Sequence, residues 1–176
     1  MSIAVEPLNA AAVEEHLDAL AQLLLDAHAA GMSLGLAAPL DHERATAAYR
    51  DAAARLTPGE RILLAALDGG EVVGAVQLDR SEAGNGRHRA EVRRLVVRAD
   101  RRGTGVGRAL MEAVVDAARG LDLRLLWLST HEGTDADRIY ERLGWTRAGV
   151  IPEYAELPNG ELTGNAFYFL RLPNID

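Results

Sequence analysis

Seven consecutive residues, Arg102-Gly103-Thr104-Gly105-Val106-Gly107-Arg108, have the types and spacing to bind an anion. They lie between an apolar run, Leu95-Val96-Val97, and a stretch to Arg119 with apolar residues at helical spacing. Glycine lets a backbone take positive φ and approach a ligand closely. The first turn of a helix leaves unpaired N–H groups at the positive end of its dipole. Together they form a cradle suited to a pyrophosphate, to which Arg101, Arg102 and Arg108 can add charge-assisted hydrogen bonds. Two better-known phosphate loops fit less well. The Walker A loop requires G-x-x-x-x-G-K-[ST], and no lysine stands at that place. The dinucleotide fingerprint is G-x-G-x-x-G in an opening βαβ unit, whereas this loop reads G-x-G-x-G and lies mid-chain. A glycine-rich turn that binds nothing is the remaining alternative.

The elements that must position this loop are legible from pattern. Ser2 to Leu8 alternates as a short strand, and Ala11 to His28 has helical spacing with Gly31 just beyond it. Asp41 can cap a second helix, to about Leu56, which Thr57-Pro58-Gly59 ends. Arg61 to Leu67 and Val72 to Asp79 form a hairpin around Asp68-Gly69-Gly70. Arg89 to Val97 is the strand entering the loop, and Gly105 to Arg119 the helix leaving it. Leu123 to Ser129, mostly apolar, reads as a strand buried on both faces. A helix from Thr134 to Leu143 and two strands, Thr146 to Ile151 and Glu161 to Leu172, complete the chain. This order predicts an α/β (α+β) fold whose sheet is mixed and mostly antiparallel. Its one parallel crossover is the unit Arg89 to Ser129. No linker, repeat or low-complexity tract interrupts residues 1–176, so one domain is expected.

Composition narrows the class. With 48% hydrophobic and 26% charged residues the chain has the balance of a globular domain. No apolar run reaches the length of a membrane span and no signal-peptide pattern opens the sequence, so a cytoplasmic location is expected. The absence of cysteine excludes disulfides, thiolate metal sites and a cysteine-linked acyl intermediate. The five histidines show no metal-ligand spacing, and no metal is expected. A net charge of −7 argues against nucleic acid as a partner and mildly favours cationic ligands.

The loop has a companion. Arg138-Ile-Tyr-Glu-Arg-Leu-Gly-Trp145 lies one strand and one turn downstream. The pair, R-x-x-G-x-G and Y-x-x-L-G-aromatic, resembles the motifs of the general-control-type N-acetyltransferase superfamily (GNAT). The resemblance covers essentially the whole chain. The early loop Gly31-Met-Ser-Leu-Gly35 and the tail from Gly149 to Phe169 look like the tabtoxin-resistance-type branch, whose members acetylate small-molecule amines. The resemblance implies the acyl-CoA N-acyltransferase fold, a twisted sheet with helices on both faces, and acetyl-coenzyme A as co-substrate. It also implies a transferase that moves acetyl directly to a primary amine in a ternary complex. Protein or peptide N-terminal acetylation and a silent acyl-CoA-binding module are the alternatives. Dimers are common in the family, so a homodimer is one admissible assembly.

Residue by residue, the resemblance implies that the backbone of Leu95, Val96 and Val97 bonds the pantetheine arm. It implies that Arg102, Gly103, Thr104, Gly105, Val106, Gly107 and Arg108 hold the pyrophosphate, and that Tyr140 protonates the departing thiolate. A core aromatic on an amphipathic helix is the other reading of Tyr140. An ammonium must lose its proton before it attacks, and Glu91 is the candidate base by position, on one face with Arg93 and Leu95 by strand alternation. A solvated carboxylate paired with Arg93 or Arg94 is the competing reading. The chain departs from the pattern at Gly133, where many relatives have asparagine, and at Ser129, where small-molecule members often have an acid. Ser129, Thr130, His131, Glu132 or water therefore stay open as the base. Glu14, Glu15, Glu91, Glu153 and Glu156 are candidates for an acidic acceptor mouth.

Overall fold

A computed structural model describes residues 3–57 and 59–173, and the expectations that involve Ser2 and Pro58 lie partly outside them. Seven strands form one sheet in the order β1-β2-β3-β4-β5-β7-β6. They are β1 (Ile3–Pro7), β2 (Arg61–Asp68), β3 (Glu71–Arg80), β4 (Arg89–Val97), β5 (Leu125–His131), β6 (Thr146–Glu156) and β7 (Leu162–Arg171). Among the described residues only β4 and β5 pair in parallel. The sheet and its crossover match the expected fold.

Helices cover both faces. On one lie α1 (Ala10–Glu15), α2 (Leu17–Ala29) and α3 (His42–Ala54); on the other lie α4 (Val106–Gly120) and α5 (Asp135–Arg142). Asn9, Asp41 and Thr134 cap α1, α3 and α5 through side-chain oxygens that accept from the backbone N–H three residues on. The single helix expected over Ala11 to His28 is instead two, α1 and α2. His16, at φ −101° and ψ 12°, breaks the helical run, and Val13, Leu17 and Leu20 on either side of it are all buried. β5 begins and ends two residues later than its apolar pattern suggested. β6 runs on to Glu156, because pairing with β7 resumes at Ala155 beyond a break in register.

Strand alternation fails at one place that matters. Gln77 pairs with Arg93 but Ala75 pairs with Val96, so β4 spends one extra residue there. Arg94, at φ +51°, marks this bulge. The phase of the strand then flips. Ala90 and Val92 belong to the α4-side core, whereas beyond the bulge Val96 joins the α1–α3 side and Leu95 and Val97 pack on the α4 side. Glu91 and Arg93 therefore do not share a face with Leu95.

Gly74 sets how closely α4 approaches the sheet. A Cβ there would lie 3.0 Å from Leu110 Cδ1, 3.0 Å from the Val96 carbonyl and 3.1 Å from Val106 Cγ1. A backbone oxygen cannot step aside as a side-chain tip can. Gly74→Val should therefore destabilise the protein by about 1–3 kcal/mol, the usual cost of overpacking, read as a lower urea midpoint. An unchanged midpoint would show that α4 is free to shift outward.

Candidate functional site

The parallel ladder between β4 and β5 is short. It comprises Arg89 with Leu125, Ala90 with Leu126 and Glu91 with Trp127, although β4 continues to Val97 and β5 to His131. The outer edges stay paired throughout, β4 with β3 up to Val97 and β5 with β7 up to His131. The two strands thus fork, and the facing edges beyond Glu91 and Trp127 have no strand beside them. The bulge at Arg94 supplies the bend, since an inserted residue kinks its strand and increases the local twist.

On the α4 side of the fork lies the glycine-rich loop. Gly103 and Gly105 take φ of +75° and +94°, and a Cβ at either would meet nothing within 4 Å. Gly105 caps α4 without a side chain, and the first backbone bond of the helix is Ala109 N–H to the Gly105 carbonyl. The N–H groups of Val106, Gly107 and Arg108 therefore precede the helical ladder. Thr104 turns its hydroxyl back onto the Arg101 carbonyl at 2.7 Å. The three arginines divide their labour. Arg101 is held by Asp68 and Asp100 at 3.1 and 3.0 Å, and Arg102 donates to the Val97 carbonyl at 3.3 Å. The exposed Arg108 has no ion pair among the described residues.

Tyr140 is buried on this same side, its ring centroid 5.5 Å from that of Tyr168 and 6.3 Å from that of Trp145. Burial, reinforced by Tyr168, raises its pKa to about 12, so the phenol keeps its proton across the physiological range. Gly133, where an asparagine was sought, donates its N–H to Asp137 Oδ2 at 3.0 Å.

Glu91 sits on the opposite face, beside Trp127 at the point of divergence. Burial raises its pKa; the nearby Arg93 charge opposes the rise and Asp79 adds to it. Arg93 Nε lies 3.6 Å from Glu91 Oε1, and its Nη1 lies 3.5 Å from Asp79, which Arg61 grips through both oxygens at 2.7 and 2.8 Å. Two segments wall this side. The α2–α3 loop bonds to the end of β5 through Ser33 Oγ and His131 Nε2, 3.0 Å apart, and a Cβ on Gly35 would come within 3.7 Å of Arg93 Nη2. Desolvation lowers the pKa of His131, which favours the neutral imidazole. Trp127, Phe167 and Tyr154 form an aromatic chain along β5, β7 and β6, with centroids 6.3 and 5.1 Å apart. A cavity of about 690 Å³, lined by His28, Gly31, Pro39, Leu40, Leu157 and Pro158 among others, lies between the α2–α3 loop and the β6–β7 tip. Glu91 and Tyr140 are not on its walls. Glu14, one of the five acids considered for the mouth, is taken up by Arg50 at 2.6 Å.

Glu91 and Tyr140 thus lie on opposite faces of the sheet, with Glu91 where the two strands part. The aromatic chain and the Ser33–His131 link were not foreseen, since both join residues far apart in sequence. The bulge did leave a trace. Ala90 and Val92 are apolar at even positions, then Arg94 is charged where an apolar residue is due.

The acetyltransferase (GNAT) family model matches residues 17–145, which span the fork, the glycine-rich loop and Tyr140. The chain belongs to that family. This GNAT enzyme is an acetyltransferase with acetyl-coenzyme A as co-substrate. Solved structures share its fold over nearly the full length. A ribosomal-protein-alanine N-acetyltransferase from Brucella melitensis is 22% identical, with a TM-score of 0.77, covering 96% of this chain and 99% of its own. A Salmonella typhimurium acetyltransferase candidate solved with its cofactor acetyl-CoA is 20% identical, with a TM-score of 0.73, covering 98% and 95%. A phosphinothricin N-acetyltransferase candidate is 19% identical, with a TM-score of 0.80, covering 98% and 100%. Among the described residues no cluster of three or more His, Cys, Asp or Glu side chains is placed to hold a metal, and no helix is long and apolar enough to cross a membrane.

The open glycine cradle, the unpaired N–H groups of α4 and the free Arg108 have the donor chemistry a pyrophosphate needs. Coenzyme A at a hundredfold excess over its Kd should stabilise the protein by about 2.7 kcal/mol, roughly 5–10 °C in Tm for a chain of this size. Arg108→Glu should leave the Tm of the free protein unchanged and cut that shift by about half or more, because it places a negative charge against phosphate. Equal shifts in both proteins would remove Arg108 from the binding site.

Proposed function

We propose that this GNAT enzyme acetylates the primary amine of a small molecule by direct attack within a ternary complex. The observation that carries the choice of a small acceptor is the convergence of the α2–α3 loop with the β6–β7 tip and the end of β5. Ser33 and His131 tie that loop to the end of β5. A peptide acceptor needs an extended groove, and this convergence favours a short one. The Brucella neighbour acts on a ribosomal protein and the phosphinothricin candidate on a small molecule, but at 22% and 19% identity neither decides the acceptor.

Acetyl-CoA supplies an activated thioester. Leu95, Val96 and Val97 offer backbone groups along the fork, and Arg102 to Arg108 fix the pyrophosphate. With Arg101 committed to acids, Arg108 is the side chain best placed to help. Glu91 takes a proton from the acceptor ammonium, the freed nitrogen bonds to the acyl carbon, and the carbon–sulfur bond breaks. Tyr140 donates a proton to the departing sulfur; water takes the second proton that the nitrogen sheds on becoming an amide and returns one to the phenolate. A phenol with a pKa of about 12 suits this role, as it is protonated at every working pH.

Tyr140→Phe should lower kcat about ten- to a thousandfold, within or just below the acid–base range, and leave the coenzyme-induced Tm shift intact. Because Tyr140 stays neutral to about pH 12, any alkaline fall in wild-type kcat/KM below roughly pH 11 must belong to another group. Turnover near the wild-type rate in the phenylalanine variant would mean that water or another donor protonates the thiolate.

Glu91 predicts opposite effects on rate and stability. Its folded-state pKa is raised, so the native state holds the proton more tightly than the unfolded chain. Stability from this group is complete below the ordinary value of 4.5 and is lost as pH rises through the raised pKa. Glu91→Gln should therefore be at least as stable as wild type at pH 7, with any advantage vanishing below that value. Its rate should fall about a hundredfold at pH 7 and recover toward pH 10, where free amine is abundant. Matching pH–rate profiles would exclude Glu91 and leave His131, neutral and bonded to Ser33, as the next base.

A further inference from the structure

Beside Glu91 the sheet buries polar groups that the acetyl transfer described above does not use. Arg94, at the bulge, has its Nε sealed from solvent without a hydrogen-bond partner. Its guanidinium makes no ion pair among the described residues, and its nearest charged neighbours are Arg93, Asp79 and Arg61. Asp79 is already held by Arg61 and Arg93, and Glu91 is screened by Arg93. Three guanidinium groups thus share two carboxylates, and the surplus positive charge resides on Arg94. Two further buried atoms lack partners here: Tyr49 Oη, on α3 beside Arg94, and Gln77 Nε2, on the residue paired with Arg93.

The three orphans have one property in common. Each can donate a hydrogen bond, and two of them can do nothing else, so the group missing from the site is an acceptor. A half-buried charge without a counter-ion, one of its donors sealed from water, costs a fold free energy. Its position is informative as well. Arg94 follows Glu91 by three residues on the same strand, on the face walled by the α2–α3 loop. A molecule with its amine at Glu91 can therefore present an acid to Arg94.

We propose that Arg94, with the Tyr49 hydroxyl beside it, forms a carboxylate subsite, and that the acceptor is an amino acid carrying both an amine and an acid. The inference rests on the small-amine reading above and names its substrate class. The Arg94 guanidinium supplies the charge-assisted bonds, and Arg93 orients Glu91 toward the amine. The negative net charge of the chain mildly favours cationic ligands. The local surplus of guanidinium at this wall points to a zwitterion instead.

The test compares each amino acid with the amine that lacks only its carboxylate. Suitable pairs are L-methionine with 3-(methylthio)propylamine, L-phenylalanine with phenethylamine, and L-lysine with cadaverine. Thiol release from acetyl-CoA is followed for the wild type, Arg94→Met and Arg94→Lys. Wild type should favour the acid-bearing member of at least one pair by about 10- to 150-fold in kcat/KM, the value of a hydrogen bond to a charged group. Arg94→Met should abolish that preference by raising KM for the acid-bearing member, and Arg94→Lys should retain part of it. Arg94→Met should also melt no lower than wild type, because it removes an unpaired, half-buried charge. A purely structural arginine would instead lower the Tm and leave the preference alone. The wild-type panel decides the matter even if a variant fails to fold. Equal turnover within every pair, as expected if water fills the subsite, overturns the carboxylate subsite alone. No turnover of any pair member, with peptides acetylated, overturns the small-amine reading together with it.

Discussion

The site depends on a pairing that stops. Two parallel strands in the middle of a sheet would ordinarily hydrogen-bond along their common length, since an unpaired backbone group away from water costs free energy. Here β4 and β5 bond over three residue pairs and then part, while each keeps its outer neighbour. The cost is local, and the gain is a slot lined by backbone donors and acceptors, open to a ligand that can take the place of a strand. The bulge at Arg94 bends β4, and Gly74 lets α4 settle close enough to bring its N-terminus to the mouth of the slot. The loop, the helix end and the fork form one device, and none of them would bind well without the other two.

The same bulge divides the labour between faces. By flipping the phase of β4 it turns Leu95 and Val97 toward α4 while leaving Glu91 and Arg93 on the side of α1–α3. Acid and base chemistry can then approach the fork from opposite sides, with a neutral, deeply buried phenol on one and a carboxylate on the other. Burial raises both pKa values, and the consequences differ. For Tyr140 the rise secures a donor. For Glu91 it costs stability above the ordinary carboxylate range, the trade expected of the base proposed above.

Much of this was legible in the sequence because it is local. The glycine-rich loop, the cap at Asp41, the hairpin over Gly69 and Gly70 and the single parallel crossover follow from spacing and residue type, and the structure has each of them. The misses were tertiary or sub-local. The break at His16 falls between the buried Val13 and Leu17, so the apolar spacing runs straight through it and periodicity does not register it. The bulge was written in the misplaced charge of Arg94, but one charged residue in a strand of mixed character is a weak signal. Arg101, one of three arginines eligible for phosphate, turned out to be committed to Asp68 and Asp100, contacts that sequence spacing does not reveal. The wall beside Glu91, assembled from Ser33, Trp127, His131 and Phe167, draws on the α2–α3 loop, β5 and β7, which are far apart in the chain, and had no local signature.

The central claim is that the fork receives the coenzyme. A crystal structure of the protein with coenzyme A tests it most directly. The account predicts the pantetheine lying between β4 and β5 past Glu91 and Trp127, alongside Leu95 to Val97. It predicts the pyrophosphate against the amides of Gly103 to Arg108 and the sulfur between the faces that hold Glu91 and Tyr140. Coenzyme A bound elsewhere, with the edges of β4 and β5 drawn together and paired beyond Trp127, would contradict it.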